Sequence, residues 1–215
     1  DDYLEGELLV GAAKVAAETG ADIVLSPMAL EYPEGRRMPA PHYNGPVTPE
    51  TFFKGWMTGH HYAPVAILLR IDFVRRAGGW DESLARAQDT EMFLRAMFEQ
   101  PVIRPNMEGL AIYTQINPGS VSRDFSPRSS ESRLRVMAGL LRRMRGTTFA
   151  PIMPLLEFRL YSITREAFRM KQSAIGRQGL RELAALGLCD HPGSRVHRAI
   201  SKVIGLEAKV RIWGS

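Results

Sequence analysis

The residues best equipped for chemistry sit mid-chain. Gly78-Gly79-Trp80-Asp81-Glu82-Ser83-Leu84 is followed by Gln88-Asp89-Thr90-Glu91 and then Met92-Phe93-Leu94-Arg95. A tight glycine turn here presents an indole beside carboxylates. That combination suits a sugar, whose C–H face stacks on an aromatic ring and whose hydroxyls donate to acidic acceptors. Asp89 could serve as a general base on an alcohol. Its simpler role is that of a helix N-cap. A second group opens the chain: Asp1-Asp2-Tyr3-Leu4. Two carboxylates on a turn suit a hard divalent cation, Mg or Mn, which takes oxygen ligands. Acidic residues are also simply favoured before a helix by its dipole.

Other candidates are weaker. Tyr113 to Ser122 reads as a strand that leaves into a polar loop, and such a loop could cover a ligand. His60 and His61 are adjacent, so their side chains point apart and make a poor metal pair; His61 is retained as a candidate acceptor contact. His191 and His197 have no zinc-ligand spacing. Arg70 and Arg95 could touch phosphate or form ordinary ion pairs.

These residues need a scaffold, and the pattern is helix, strand, helix, strand, helix, helix, strand, an α/β order. Residues 4–19 have helical spacing, and Asp22 to Ser26 reads as a short buried strand. Tyr32 to Pro49 is a loop or exposed hairpin. Thr48-Pro49-Glu50 is a helix start. Ala63 to Leu69 is an apolar run that predicts a strand buried on both faces. Residues 72–77 predict a short helix that Gly78-Gly79 ends. A helix from about Thr90 to Phe98 and a strand across Gly109 to Gln115 complete this half. Past Ser130 only amphipathic helices appear. Leu134, Met137, Leu140, Leu141 and Met144 share one face opposite Arg133, Arg135, Arg142, Arg143 and Arg145. Two further helical segments follow, then a last one with Val196, Ile200, Val203 and Ile204 as its apolar face.

Composition narrows the class. A hydrophobic share of 45% with 24% charged residues fits a globular protein rather than a disordered one. No apolar run reaches the roughly 20 residues that span a bilayer. The single cysteine, Cys189, excludes an internal disulfide and fits a reducing, cytoplasmic compartment. Residues 1–123 hold 11 Lys+Arg against 16 Asp+Glu, a balance of −5; residues 124–215 hold 17 against 7, a balance of +10. The second part therefore suits an anionic partner such as the inner face of a membrane. Nucleic acid is disfavoured, since the basic segment lacks interleaved aromatics and any helix-turn-helix or zinc pattern. The expected division is 1–123 and 124–215.

The ordered set of segments resembles family 2 glycosyltransferases of the GT-A fold. It comprises Asp1-Asp2-Tyr3-Leu4, Asp22-Ile23-Val24, Leu68-Leu69-Arg70, Gly78 to Leu84, Gln88 to Glu91 with Leu94-Arg95, and Tyr113 with Gly119-Ser120-Val121-Ser122. The resemblance covers roughly residues 1–123. It implies a partial GT-A (Rossmann-like) domain without its N-terminal nucleotide-binding half, followed by a helical C-terminal extension. It further implies that Asp1 belongs to the metal-binding acidic motif, that Asp89 is the catalytic base, and that Gly79, Trp80, Asp81, Glu82 and Gln88 border the acceptor. The reaction would be inverting transfer from a nucleotide-sugar donor to a saccharide or lipid-linked acceptor, in surface polysaccharide or glycolipid synthesis. Two positions depart from the family pattern. Gln88 replaces a usual glutamate, and Thr114 and Ile116 stand where arginine and histidine are common. The chain starts at Asp1 rather than Met, so the expectation is a fragment with no transferase activity alone. The competing expectation is a non-catalytic, basic helical module that binds membrane or nucleic acid beside a degenerate α/β domain.

Overall fold

Short apolar runs punctuated by proline and glycine build two small sheets in the first half of the chain. The computed structural model describes residues 2–40, 46–115, 124–188 and 195–213. Asp1, Ile116, the Gly119-Ser120-Val121-Ser122 loop, Cys189 and His191 lie outside them. The chain divides into two compact units: residues 1–81 with 89–120, and residues 82–88 with 121–215.

The first unit holds one sheet of order β1-β7-β3-β4, made of Tyr3–Glu5, Leu110–Thr114, Met28–Glu31 and Arg37–Pro39. β1 runs antiparallel to β7 with Tyr3 opposite Ile112, and β3 runs parallel to β7 with Ala29 opposite Ile112. β4 returns antiparallel on β3, so part of the 32–49 stretch is indeed a hairpin arm. The other sheet has order β5-β2-β6, from Ile67–Leu69, Ile23–Leu25 and Ile103–Pro105. Here β2 is antiparallel to β5 and parallel to β6. Ser26-Pro27 carries the chain from β2 in one sheet to β3 in the other. Proline offers no ladder N–H, so pairing stops where the sheets part.

Helices α1 (Leu8–Thr19), α2 (Pro49–Thr58), α3 (Ile71–Arg76) and α4 (Gln88–Ala96) complete this half. α2 begins as its sequence predicts. The Thr48 hydroxyl accepts from the Thr51 N–H at 3.2 Å, and the Thr51 hydroxyl accepts from the Thr48 N–H at 2.7 Å. Three expectations change. Residues 4–19 are not all helix, because Tyr3–Glu5 pairs with β7 before α1 starts at Leu8. The Ala63–Leu69 run is only in part a strand: Pro64–Ala66 forms a 3-10 turn, and β5 is three half-buried residues at a sheet edge. β6 was not anticipated at all.

The Asn106 carboxamide, almost fully buried, ties this unit together. Its Nδ2 donates to the Leu8 carbonyl at 3.2 Å, to Ser26 Oγ at 3.2 Å and to the Glu108 carbonyl at 2.9 Å. Its Oδ1 accepts from the Glu108 N–H at 3.1 Å. The amide nitrogen and oxygen of one side chain thus join α1, the end of β2 and the loop after β6. On the sheet of β1, Arg37 pairs with Glu5 at 3.0 Å and Glu31 at 2.9 Å, and donates to the Tyr3 hydroxyl at 2.6 Å.

The second unit is helical: α5 (Pro127–Met144), α6 (Met153–Arg169), α7 (Ser173–Ala185) and α8 (Arg195–Trp213). All five apolar residues expected on one face of α5 are buried, each contributing about 1.5–3 kcal/mol of gross transfer free energy. Its arginines turn to neighbouring helices rather than standing free. Arg133 pairs with Glu166 at 2.5 Å, Arg142 pairs with Glu182, and Arg145 donates to the Leu186 carbonyl. α6 and α7 approach closely through small residues: a Cβ on Gly179 would lie 2.2 Å from Thr164 Oγ1, and one on Gly176 would lie 2.5 Å from the Phe168 ring. α8 bends at Gly205, and its expected apolar face is corrected. Val196, Val203 and Ile204 are exposed, Val203 by 84%, while Leu206 and Val210 are buried. The exposed residues all precede the bend, and the buried Leu206 and Val210 follow it, so the segment after Gly205 is the one that packs. Among the described residues no helix is long and apolar enough to cross a membrane.

Candidate active site

Helix α3 ends at Gly78 and Gly79, whose φ values are +90° and +64°. Side chains with a Cβ resist that conformation, so the glycines allow the turn that delivers Trp80. Arg95, one helix away, fixes it. Its Nη2 donates to the Gly79 carbonyl at 2.5 Å, while Nε and Nη2 grip Glu91 at 2.6 and 3.0 Å. Arg95 is thus an ion-pair and positioning residue. The Glu91–Arg95 spacing of four on a helix is a signal that could have found the pair.

Trp80 is 42% exposed, and its indole N–H donates to Asp89 Oδ1 at 2.9 Å. Asp89 does not cap α4 from outside; it is the second residue of the helix, in the acidic first turn that the dipole favours. Among the described residues its second oxygen has no protein partner. A carboxylate with one oxygen held and one available is what a base requires.

An aromatic cluster supports this pair. Trp80 meets Phe93 edge-on with ring centroids 6.2 Å apart, and Phe93 lies 5.2 Å from Trp56. Trp56 donates from Nε1 to the Thr90 hydroxyl at 3.1 Å and packs on the exposed His61 ring at 5.1 Å. The two indoles therefore contact consecutive residues, Asp89 and Thr90, at the start of α4. Trp56 is part-buried, and nothing in its local sequence marks its bond to Thr90.

The structure gathers Gly79, Trp80, Asp89 and, through Trp56, His61 in the first unit. Asp81 is half-buried there and is already engaged. Glu82 and Gln88 fall in the second unit. Glu82 is exposed, and Gln88 donates to the Leu84 carbonyl at 2.9 Å. That segment is anchored to α5: the Ala85 N–H donates to Ser132 Oγ at 3.0 Å, and Arg135 donates to Ser83 Oγ at 2.6 Å. Ala87 carries a φ of +66°, a strained value for a residue with a Cβ. Arg70 binds the Ala16 and Ala21 carbonyls, both at 3.3 Å, which closes α1 rather than holding phosphate. Asp2 Oδ1 accepts from the Thr114 N–H at 2.9 Å and the Thr114 hydroxyl at 3.2 Å. No three His, Cys, Asp or Glu residues among those described could share a metal ion.

The fold that carries these residues is shared with solved structures. The chain resembles TarS of S. aureus, a glycosyltransferase solved as residues 1–349. Against TarS 1–349 the TM-score is 0.59 at 17% identity, covering 100% of this chain and 65% of that one. Against TarS 1–349 in complex with UDP-GlcNAc the TM-score is 0.56 at 16% identity, covering 86% of this chain and 55% of that one. This chain thus spans 55 to 65% of the TarS chains it matches. No family model matches the chain, and no curated protein does.

Proposed function

We propose that this chain carries the acceptor side of a family 2-like, GT-A-type glycosyltransferase. It takes part in inverting transfer of a sugar from a nucleotide-sugar donor to a saccharide or lipid-linked acceptor, in surface polysaccharide or glycolipid synthesis. The observation that carries the reading is the 2.9 Å bond between Asp89, in the first turn of α4, and Trp80, on the turn shaped by Gly78 and Gly79 and braced by Arg95. The likeness to TarS supports the fold, and the UDP-GlcNAc bound to one TarS structure supports the donor class.

The acceptor ring stacks on the open face of Trp80. The indole N–H holds one Asp89 oxygen, so the other points at a single acceptor hydroxyl. As that hydroxyl oxygen attacks the anomeric carbon of the donor, its proton passes to Asp89. The bond from the anomeric carbon to the diphosphate breaks and the nucleoside diphosphate leaves. His61, beside Trp56, widens the aromatic shelf. The reading also includes a divalent cation, Mg or Mn, held through Asp1. The described residues bring no metal-ligand set together, and Asp2 Oδ1 accepts from Thr114. The same proposal puts the protein in the cytoplasm, with the α5–α8 unit facing an anionic membrane. The arginine pairs inside that unit leave fewer charges for that contact than the sequence count suggests.

The test is Asp89→Asn in the protein expressed from its own gene. Transfer should fall by about 10²–10⁴-fold, the usual worth of a positioned base, while nucleotide-sugar affinity stays within about twofold. Near-normal turnover in that variant would remove Asp89 as the base.

A further inference from the structure

A cavity of about 590 Å³ opens in the first unit, and none of Trp80, Asp89 and His61 lines it. Both sheets contribute to it. β2 and β6 are parallel neighbours, and the residues just past their carboxyl ends, Ser26-Pro27 and Asn106-Met107, form part of the wall. The carboxyl ends of parallel strands are where α/β sheets usually bind ligands, and the volume lies in the range of small-molecule sites. Methionines Met28, Met38 and Met107 make up much of the remaining wall, with prolines around them. Met38 is 46% exposed and Met107 82% exposed, so apolar, adaptable side chains stand open to water at this cavity.

The polar lining groups are already occupied. Asn106 spends its amide on Leu8, Ser26 and Glu108, as described above. Arg37 commits four of its five N–H donors, to Glu5, Glu31 and Tyr3. One guanidinium beside two carboxylates leaves a net negative charge there, which repels an anionic head group. Burial raises the Tyr62 phenol above its ordinary value, which keeps it neutral. A sugar or nucleotide entering this cavity would lose water from its hydroxyls or phosphates without new partners, which costs affinity. A hydrocarbon has no such demand.

We propose that this cavity binds an uncharged hydrocarbon chain, alkyl or isoprenoid, as a site separate from the transfer centre. The inference rests on the walls of the cavity alone and stands or falls independently of the transferase reading. Two sources carry such a chain, a free lipid and a sugar-headed lipid, and both present the same tail.

The experiment titrates the full chain, labelled with ¹³C at the methionine methyls, with dodecanol, with dodecyl maltoside below its micelle concentration, and with maltose. Both C12 chains should shift the Met28, Met38 and Met107 methyls saturably and leave Met137 and Met144 in place; maltose should shift none. Tighter binding of the maltoside than of dodecanol supports a sugar-headed source, and tighter binding of dodecanol supports a free lipid. Ala29→Phe, which fills the cavity, should weaken binding about tenfold. Met107→Lys, at an exposed position that tolerates charge, should weaken it similarly and decides the matter if Ala29→Phe does not fold. The proposal is overturned by absent or non-saturable shifts, by equal shifts at Met137 and Met144, by an effect of maltose, or by unchanged affinity in Met107→Lys.

Discussion

Arg95→Ala and Arg95→Lys separate the charge of this residue from the fork that holds the Trp80 turn. The Arg95 and Glu91 side chains are only 17% and 18% exposed, so their pair is shielded rather than a surface contact. Exposed i,i+4 pairs yield about 0.3–0.5 kcal/mol, whereas hydrogen bonds to charged groups in shielded sites yield about 1.5–3 kcal/mol. Alanine removes both bonds to Glu91, removes the bond to the Gly79 carbonyl, and strands the Glu91 carboxylate. We expect a loss of about 3 kcal/mol. Lysine retains one contact with Glu91 and cannot also reach Gly79, so about 1–2 kcal/mol should be lost. The assay is urea denaturation followed by tryptophan fluorescence, to which Trp56 and Trp80 contribute, with Glu91→Gln completing a double-mutant cycle. Emission in Arg95→Ala should also shift to the red as the indole loses its fixed place. A cost for Arg95→Ala below about 0.5 kcal/mol, with emission unchanged, would refute the claim that Arg95 sets this turn.

Further expectations concern the helical unit and the segment that leads into α4. Gly179→Ala forces a methyl into Thr164 and should destabilise by about 1–3 kcal/mol. Gly139→Ala, inside α5 with open space around it, should stabilise by about 0.5–1 kcal/mol; equal thermal shifts for the two would contradict the packing described. Ala87→Gly relieves a left-handed alanine and should raise the unfolding midpoint, by about 0.5–1 kcal/mol; a fall would show that the strain is not local. The Asp124 carboxylate accepts from the Ser126 N–H and hydroxyl, which lowers its pKa below the ordinary value. A lowered folded-state pKa means that its stabilisation is present above the unfolded value and fades as pH falls through the folded one. The difference in unfolding temperature between wild type and Asp124→Asn should therefore hold above about pH 5 and shrink toward about pH 2. A difference that stays constant across that range would remove Asp124 as the cause.

Much of the architecture was legible where periodicity is long or punctuation is strong. The five buried residues of α5, the Thr48-Pro49 start of α2 and the glycine stop after α3 follow from local rules. What local rules missed is tertiary. Ile103–Pro105 is three residues with a terminal proline, and only its pairing with β2 makes it a strand. Ala63–Leu69 is apolar enough for a full strand, yet Pro64 bends half of it into a turn. At the candidate site the sequence placed Trp80 and Asp89 in one cluster and offered Asp89 as a base or an N-cap; helix starts look alike in residue type, and the cap alternative fails because α4 begins one residue earlier. The bonds from Trp80 and Trp56 to successive residues of α4 depend on how α2, α3 and α4 pack, which no spacing encodes.

Asn106 has a dynamic consequence. One side chain closes bonds to α1, to the end of β2 and to the loop before β7, so none of these can open without breaking its amide network. Their protected amides should exchange with solvent through a single shared opening rather than three independent ones, which makes this corner one cooperative folding unit. Local fluctuation is thereby pushed outward, to segments that Asn106 does not reach.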